Sequence, residues 1–331
     1  VSLSSTRRAA LQLVMGSEFV GQDLTIEDSG LAAFVWQSSI ALSDSHVART
    51  AQPAILVSAE AVVQVMDSLF EDCPSGFVGV SYDAISITLE RNQFLRSNSE
   101  TCISVGSGKL VARDNLINTC AASGITALGL EDVDISNNTI SNIQLDKIFN
   151  LVATGISLNG STGVVAGNTI KDTVDNGISI SGSVVVVEEN IIGPVGRSGI
   201  SYVEGPETPS TIINNTIDGA VGAGVIVLGA SATIQGNTIS NTAVSPDDGF
   251  GDGIAFGSGA NVIATLNTIT ASARNGILFL NGAQGQVHDN SVSGSGQFGL
   301  LELCTGDANT VVVGTNDLAG NSAGEQQLCS P

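Results

Sequence analysis

The chain has 331 residues, of which 11 are Lys or Arg and 32 are Asp or Glu, a net charge of −21 at pH 7. A surface this acidic repels phosphate backbones and anionic lipid, which excludes nucleic acid and anionic membrane as partners. Only 13% of residues are charged and 4% aromatic, 39 are Gly, and no apolar run reaches the ~18 residues that a membrane span needs.

Along the chain a short apolar–polar–apolar signature recurs. Its polar anchor is Ser in the first three copies (Ser29, Ser45, Ser68). It is Asn afterwards, at Asn92, Asn115, Asn138, Asn168, Asn190, Asn215, Asn237, Asn267, Asn290 and Asn316. Successive anchors are 16 to 30 residues apart, mostly 22 to 26. Two residues after each anchor the chain is apolar, from Leu31 and Val47 through Ile140 and Ile217 to Leu318. Three residues before it stands Ile, Val or Leu, with Ala112 and Ala264 the exceptions. Positions held apolar through so polar a sequence point inward.

A second strand follows some nine residues after the anchor and opens on Gly: GITAL at Gly124, GISLN at Gly155, GISIS at Gly177, GISYV at Gly199, GVIVL at Gly224, GIAFG at Gly253, GILFL at Gly276 and GLLEL at Gly299. Alternate residues are apolar there, the period of a strand, and β-branched residues dominate. Only the insert from Ile143 to Ala153 hints at a helical period. Self-similarity at this repeat length signals a solenoid. Each turn returns over the last, so the strands are parallel. The Asn is expected at a tight corner, itself in the left-handed region, its amide bonded to the next coil.

This pattern resembles the right-handed parallel β-helix, the pectate-lyase-like superfold, over residues 20–320. The leucine-rich repeat shares the period but needs a Leu frame and one strand per repeat; here Ile and Val dominate and at least two strands recur. The hand follows from the resemblance and from the right-handed crossover preference. The expected fold is all-β: a single-stranded right-handed parallel β-helix of about 13 coils. Residues 1–331 would form one domain, with 304–331 a coil or tail closing the end.

Cys304 and Cys329 lie 25 residues apart, about one coil, and are expected to form a disulfide. Cys73 and Cys120 share an offset but sit two coils apart, too far for a direct bond; Cys102 could join either. The spacing fits no zinc pattern. This usage points to an oxidising compartment: secreted, periplasmic or cell surface.

Three inserts flank the Gly-opened sheet: Ser141–Thr154, Glu204–Pro209 and Ser240–Asp252. They would wall a groove over coils five to nine, a shape that suits an extended polymer. In the resembling polysaccharide lyases and hydrolases the substrate lies along such a groove. Asp175 and Arg197 stand two residues before the strand Gly on adjacent coils and are the catalytic candidates. Glu204, Glu207 and Asp218 are the groove candidates. Glycoside hydrolysis needs two carboxylates ~5–10 Å apart; the resembling lyases instead use calcium with an Arg or Lys base. Asp247, Asp248 and Asp252 are the calcium candidates, and no other cofactor is expected. The plainer alternatives are a surface ion pair for Asp175–Arg197 and a solvated loop for the three aspartates. His46 and His288 are far apart in the repeat, which excludes a His-centred triad.

The outward column of the Gly-opened strands is polar first (Thr126, Ser157, Ser179, Ser201) and apolar later. Ile226, Leu228, Leu278, Leu280, Leu301 and Leu303 form this apolar half-face. Such a face marks an interface, covered by the C-terminal tail, by a partner or second copy, or by a glycan. Two functions are compatible with these residues. One is an extracellular or cell-surface rod, structural, adhesive or binding glycan or protein, without catalysis. The other is a carbohydrate-active enzyme: a polysaccharide lyase, hydrolase or epimerase.

Overall fold

A computed structural model describes residues 2–4, 8–80, 85–97, 101–145 and 153–329. It divides into two compact units, Val1–Thr169 and Ile170–Pro331. Each unit is a parallel β-solenoid, and no described residue is helical. The helical hint in the first insert fails at its start, because Ile143 ends up fully buried in the strand Thr139–Gln144; residues 146–152 lie outside the described residues.

A turn contains three strands, one more than the minimum the sequence required. In the second unit one turn runs through the glycine strand Ile200–Val203, a third strand Ser210–Ile213 and a ladder strand Thr216–Asp218. Each pairs in parallel with its counterpart one turn on: Ile200 with Val225, Ile212 with Ile234, Ile217 with Ile239. Among the described residues the ladder strands number 13, and the turn of Asn316 adds a single bridge between Ser291 and Asp317. The inward residues are those the repeat nominated. Ile212, Ile217, Ile234 and Ile239 are all 0% exposed. Aromatic rings stack on neighbouring turns of the interior: Phe70 on Phe94 at 5.0 Å and Phe256 on Phe279 at 5.6 Å between centroids.

The corner explains the Asn. Asn215 N donates to Asn237 Oδ1 at 2.9 Å, and its amide Nδ2 donates to the same oxygen at 3.0 Å and to Val187 O at 2.9 Å. Asn237 repeats this toward Asn267, Asn267 toward Asn290 and Asn290 toward Asn316. In the first unit the same ladder runs from Asn92 through Asn115 and Asn138 to Asn168. Serines extend it backward: Ser45 N donates to Ser68 Oγ, and Ser68 N to Asn92 Oδ1. One amide thus satisfies backbone groups of two turns that are buried from water.

Two expectations are corrected. The left-handed residue is not the ladder Asn but the one before it: Asp114, Asn137, Glu189, Asn214 and Asp289 have φ of 54 to 57°. The ladder residue itself must keep its amide aimed along the stack. The first anchor was also misplaced. Thr25 pairs with His46, so Leu24 and not Ser29 occupies the ladder position, and Leu24 N donates to Ser45 Oγ at 3.3 Å. Leu31 then opens a glycine-type strand, Leu31–Trp36.

The strand glycines have a steric cause. A Cβ on Gly199 would stand 2.6 Å from Gly224 O and 2.5 Å from Ile217 Cγ2. The inward Ile of the ladder strand and the neighbouring turn leave no space for a methyl group.

Asn237→Ala is expected to lower stability by about 2–4 kcal/mol, since it leaves the buried Asn215 N and Ile212 O of the preceding turn without their amide partner. Thr238→Ala, on the exposed side of the same corner, should change it by less than about 0.5 kcal/mol. Urea unfolding of the two variants decides; equal midpoints would remove the ladder as a source of stability.

Candidate functional site

Asp175 and Arg197 each precede a strand glycine by two residues, and the turns that carry them are in register. Gly177 N donates to Ser198 O at 3.0 Å and Ser198 N to Asn176 Oδ1 at 3.1 Å. This stacking brings Arg197 Nη1 to 3.9 Å from Asp175 Oδ1.

The third insert supplies another carboxylate. Ser245, 2% exposed, closes the loop on itself. Its Oγ accepts from Asp247 N at 3.3 Å and Asp248 N at 3.5 Å, and its N donates to Phe250 O at 2.7 Å. Phe250 N donates to Asp248 Oδ1 at 3.1 Å, which turns Oδ2 toward Arg197; both Nε and Nη2 stand 3.4 Å away. One guanidinium therefore sits between two carboxylates from different turns. The Arg197 side chain remains 46% exposed, while that of Asp175 is 13% exposed. Asp175 Oδ1 is buried without a hydrogen-bond partner. Burial pushes the Asp175 carboxyl above its ordinary pKa; Arg197 opposes the shift, and Asp247 and Asp248 add to it.

The calcium set does not assemble. Asp252 is 0% exposed and its oxygens are already used. Oδ1 accepts from Asn275 N at 3.1 Å and Nδ2 at 2.8 Å, and Oδ2 from Gly251 N at 3.3 Å. Arg274 Nη1 lies 3.9 Å from Oδ2 and donates to Gly249 O, which ties the loop down. Asp252 is a structural ladder residue, in the column just before the strand glycines. Among the described residues no three His, Cys, Asp or Glu are grouped to hold a metal, so the donors present do not fit calcium.

Nor do the groove candidates converge with Asp175. Asp218 accepts from Ser240 Oγ and Asn241 Nδ2, both at 2.7 Å, and these bonds hold its carboxyl below the usual range. It belongs to a ladder strand. Glu204 and Glu207 are exposed at the far end of Ile200–Val203 from Arg197, a strand about 13 Å long.

The apolar half-face is largely covered by the chain itself. Ile226, Ala255 and Leu278 stack in register and are 7%, 0% and 2% exposed. Phe250 packs over them, flanked by Leu228, Leu280 and Leu301. The tail does not fold back; Gly324–Gln327 pairs with Phe298–Glu302 as the next turn. Leu303, at 37%, is left at the exposed rim. The sequence signal for this cover was the lone Phe in a loop of Pro, Asp and Gly. Cys304 is bonded to Cys329, as the one-coil spacing required, and Cys102 takes Cys120, leaving Cys73 free and buried.

A profile described as the right-handed beta helix region matches residues 79–239 and 198–324. The chain belongs to the right-handed beta helix family. The solenoid is thereby right-handed. No curated protein sequence matches this right-handed beta helix chain. Among solved structures, the periplasmic alginate epimerase AlgG is similar with a TM-score of 0.55 at 10% identity, over 94% of this chain and 77% of that one. The A-module of the mannuronan C-5 epimerase AlgE4 from Azotobacter vinelandii is similar with a TM-score of 0.50 at 17% identity, over 96% and 90%. At such identities the likeness is one of fold.

Asp175 makes pH testable. A carboxyl raised in the folded state binds more protons folded than unfolded, so its contribution favours folding below the unfolded pKa and is lost as pH rises through the folded one. Asp175→Asn removes the buried charge and should melt higher than the parent at pH 7. The gap should close as the parent is acidified through the raised pKa. A variant that melts lower at pH 7 and loses that deficit in acid would show that the Arg197 pairing outweighs burial.

Proposed function

We propose that the chain is an extracytoplasmic β-helix that binds glycan without catalysis, through the edge where Asp175, Arg197 and Asp248 meet. The observation that carries this reading is the position of Arg197, within ion-pair distance of both carboxylates. In a glycosidase the scissile bond lies between two carboxyl groups ~5–10 Å apart. Here a guanidinium takes that space. Arg197 offers exposed fork donors, and the two aspartates fixed acceptors, for sugar hydroxyls. The net charge of −21 favours a neutral glycan over a polyuronate. The two disulfides support an oxidising location, and the name of the periplasmic epimerase agrees with it. Both epimerases are named for polysaccharide chemistry, which supports a glycan as the ligand class.

A second reading is a carbohydrate-active enzyme. It rests on the buried Asp175 carboxyl, raised by burial and with Oδ1 free of hydrogen bonds, the form a proton donor takes.

Affinity electrophoresis against neutral and acidic polysaccharides, with reducing ends and unsaturated-product absorbance followed in parallel, separates the two. Retardation by a neutral glycan with no product is the expected outcome. Product that disappears in Asp175→Asn would establish the enzyme instead. Neither retardation nor product with any polysaccharide would remove glycan as the ligand.

A further inference from the structure

Aromatic residues make up only 4% of this chain, and several are spent inside. Phe70, Phe77, Phe94, Phe256 and Phe279 are at most 2% exposed. Phe34 and Trp36 are different. They alternate with the buried Ala33 and Val35 on the strand Leu31–Trp36, so both stand half-buried on its outer face. Register places Gln12 beside Phe34 on the preceding turn and Leu56 on the following one; Trp36 lies between Val14 and Ser58.

A cavity of about 250 Å³ opens on this face, lined by Arg8, Gln12, Leu31, Phe34 and Gln52 among others. Gln52 enters it from the next turn, where its N donates to Gly30 O at 2.9 Å. The volume is below the ~300–1,000 Å³ of sites for drug-sized ligands, and suits a single ring.

From this arrangement we infer that the outer face of the first turns holds a pyranose ring of a neutral glycan, stacked on Phe34 and hydrogen-bonded by Gln12, Gln52 and Arg8. This rests on the glycan-binding reading above and adds a second contact, within the first unit. A pyranose has an apolar C–H face and a rim of hydroxyls. Phe34 supplies the flat apolar surface. Each Gln amide carries donors and an acceptor in one plane, which matches adjacent hydroxyls that both give and take a proton; Arg8 adds donors in a fixed fork. Trp36 stands one pleat beyond Phe34, about 7 Å along the strand, within reach of an adjoining sugar. A cavity with one aromatic wall and three planar polar side chains is poorly suited to an apolar peptide segment, which would leave those amides unpaired.

Trp36 is the only tryptophan in the chain, so its emission reports directly on this face. The full chain would be titrated with methyl glucoside, methyl mannoside, cellohexaose and maltohexaose, with calorimetry and Trp36 fluorescence read on the same samples. Heat and a saturable emission change with the same midpoint are expected for at least one sugar. Phe34→Ala and, separately, the exposed Gln12→Ala should each weaken that binding about tenfold or more, a loss of ~1.4 kcal/mol. Arg197→Ala should leave the emission change intact. Calorimetric binding that leaves Trp36 emission and both first-turn variants unchanged would overturn this site while the glycan reading stands. No heat with any of the four sugars, in a sample whose far-ultraviolet spectrum shows the β-fold, would overturn the site. If the polysaccharide screen is also blank, the reading beneath it falls too.

Discussion

The constraint on which the rest depends is the need to pair the backbone N–H groups at the buried corner of every turn. A strand pairs its backbone with neighbouring strands, but a corner cannot. The ladder amide solves this with one oxygen that accepts from the backbone and side chain of the turn before it. Such groups left unpaired inside a protein cost on the order of 1–3 kcal/mol each. An Asn at one turn is therefore useful only if the next turn is in register. The geometry forces a left-handed residue immediately before it, which is why Asp, Asn or Gly so often precedes the ladder residue.

Register then decides which distant residues become neighbours. Asp175 and Arg197 are 22 apart in sequence and meet only because their turns stack. Asp252 and Asn275 meet for the same reason in the column before the strand glycines. That column turns a carboxylate which looked like a metal ligand into a backbone-fixing group. The loop between Ser240 and Asp252 is thus anchored at its end by Asp252 and at its tip by Ser245 and Arg274. A loop fixed in this way can hold Asp248 against Arg197 and Phe250 against the apolar column at once.

The repeat made the fold legible. Ile or Val two residues after the anchor, Asn at the corner and Gly at the strand start each have one steric or hydrogen-bonding cause, repeated in nearly every turn. Legibility failed where the repeat was weakest. Leu24 fills its ladder position without an amide, so Ser29 took its place in the reading and that turn slipped by five residues. That slip hid Phe34 and Trp36, whose shared outward face depends on Leu31 starting a strand. At the candidate site the Asp175–Arg197 contact was readable from equal offsets. Asp248 as its third member was not, because a loop's path is set by its own hydrogen bonds and not by the repeat. The cover over Ile226 and Leu278 was missed for the same reason.

Amide hydrogen exchange tests the stacked corner most directly. Backbone N–H groups at Asn190, Asn215, Asn237 and Asn267 lie at strand-free bends, where amides normally exchange quickly. If each is bound to the Oδ1 of the following turn, they should be protected as strongly as the flanking strand residues Ile192, Ile217 and Ile239. Exchange at these four positions as fast as at the exposed loop residues Glu207 and Thr208 would contradict the ladder and the register that rests on it.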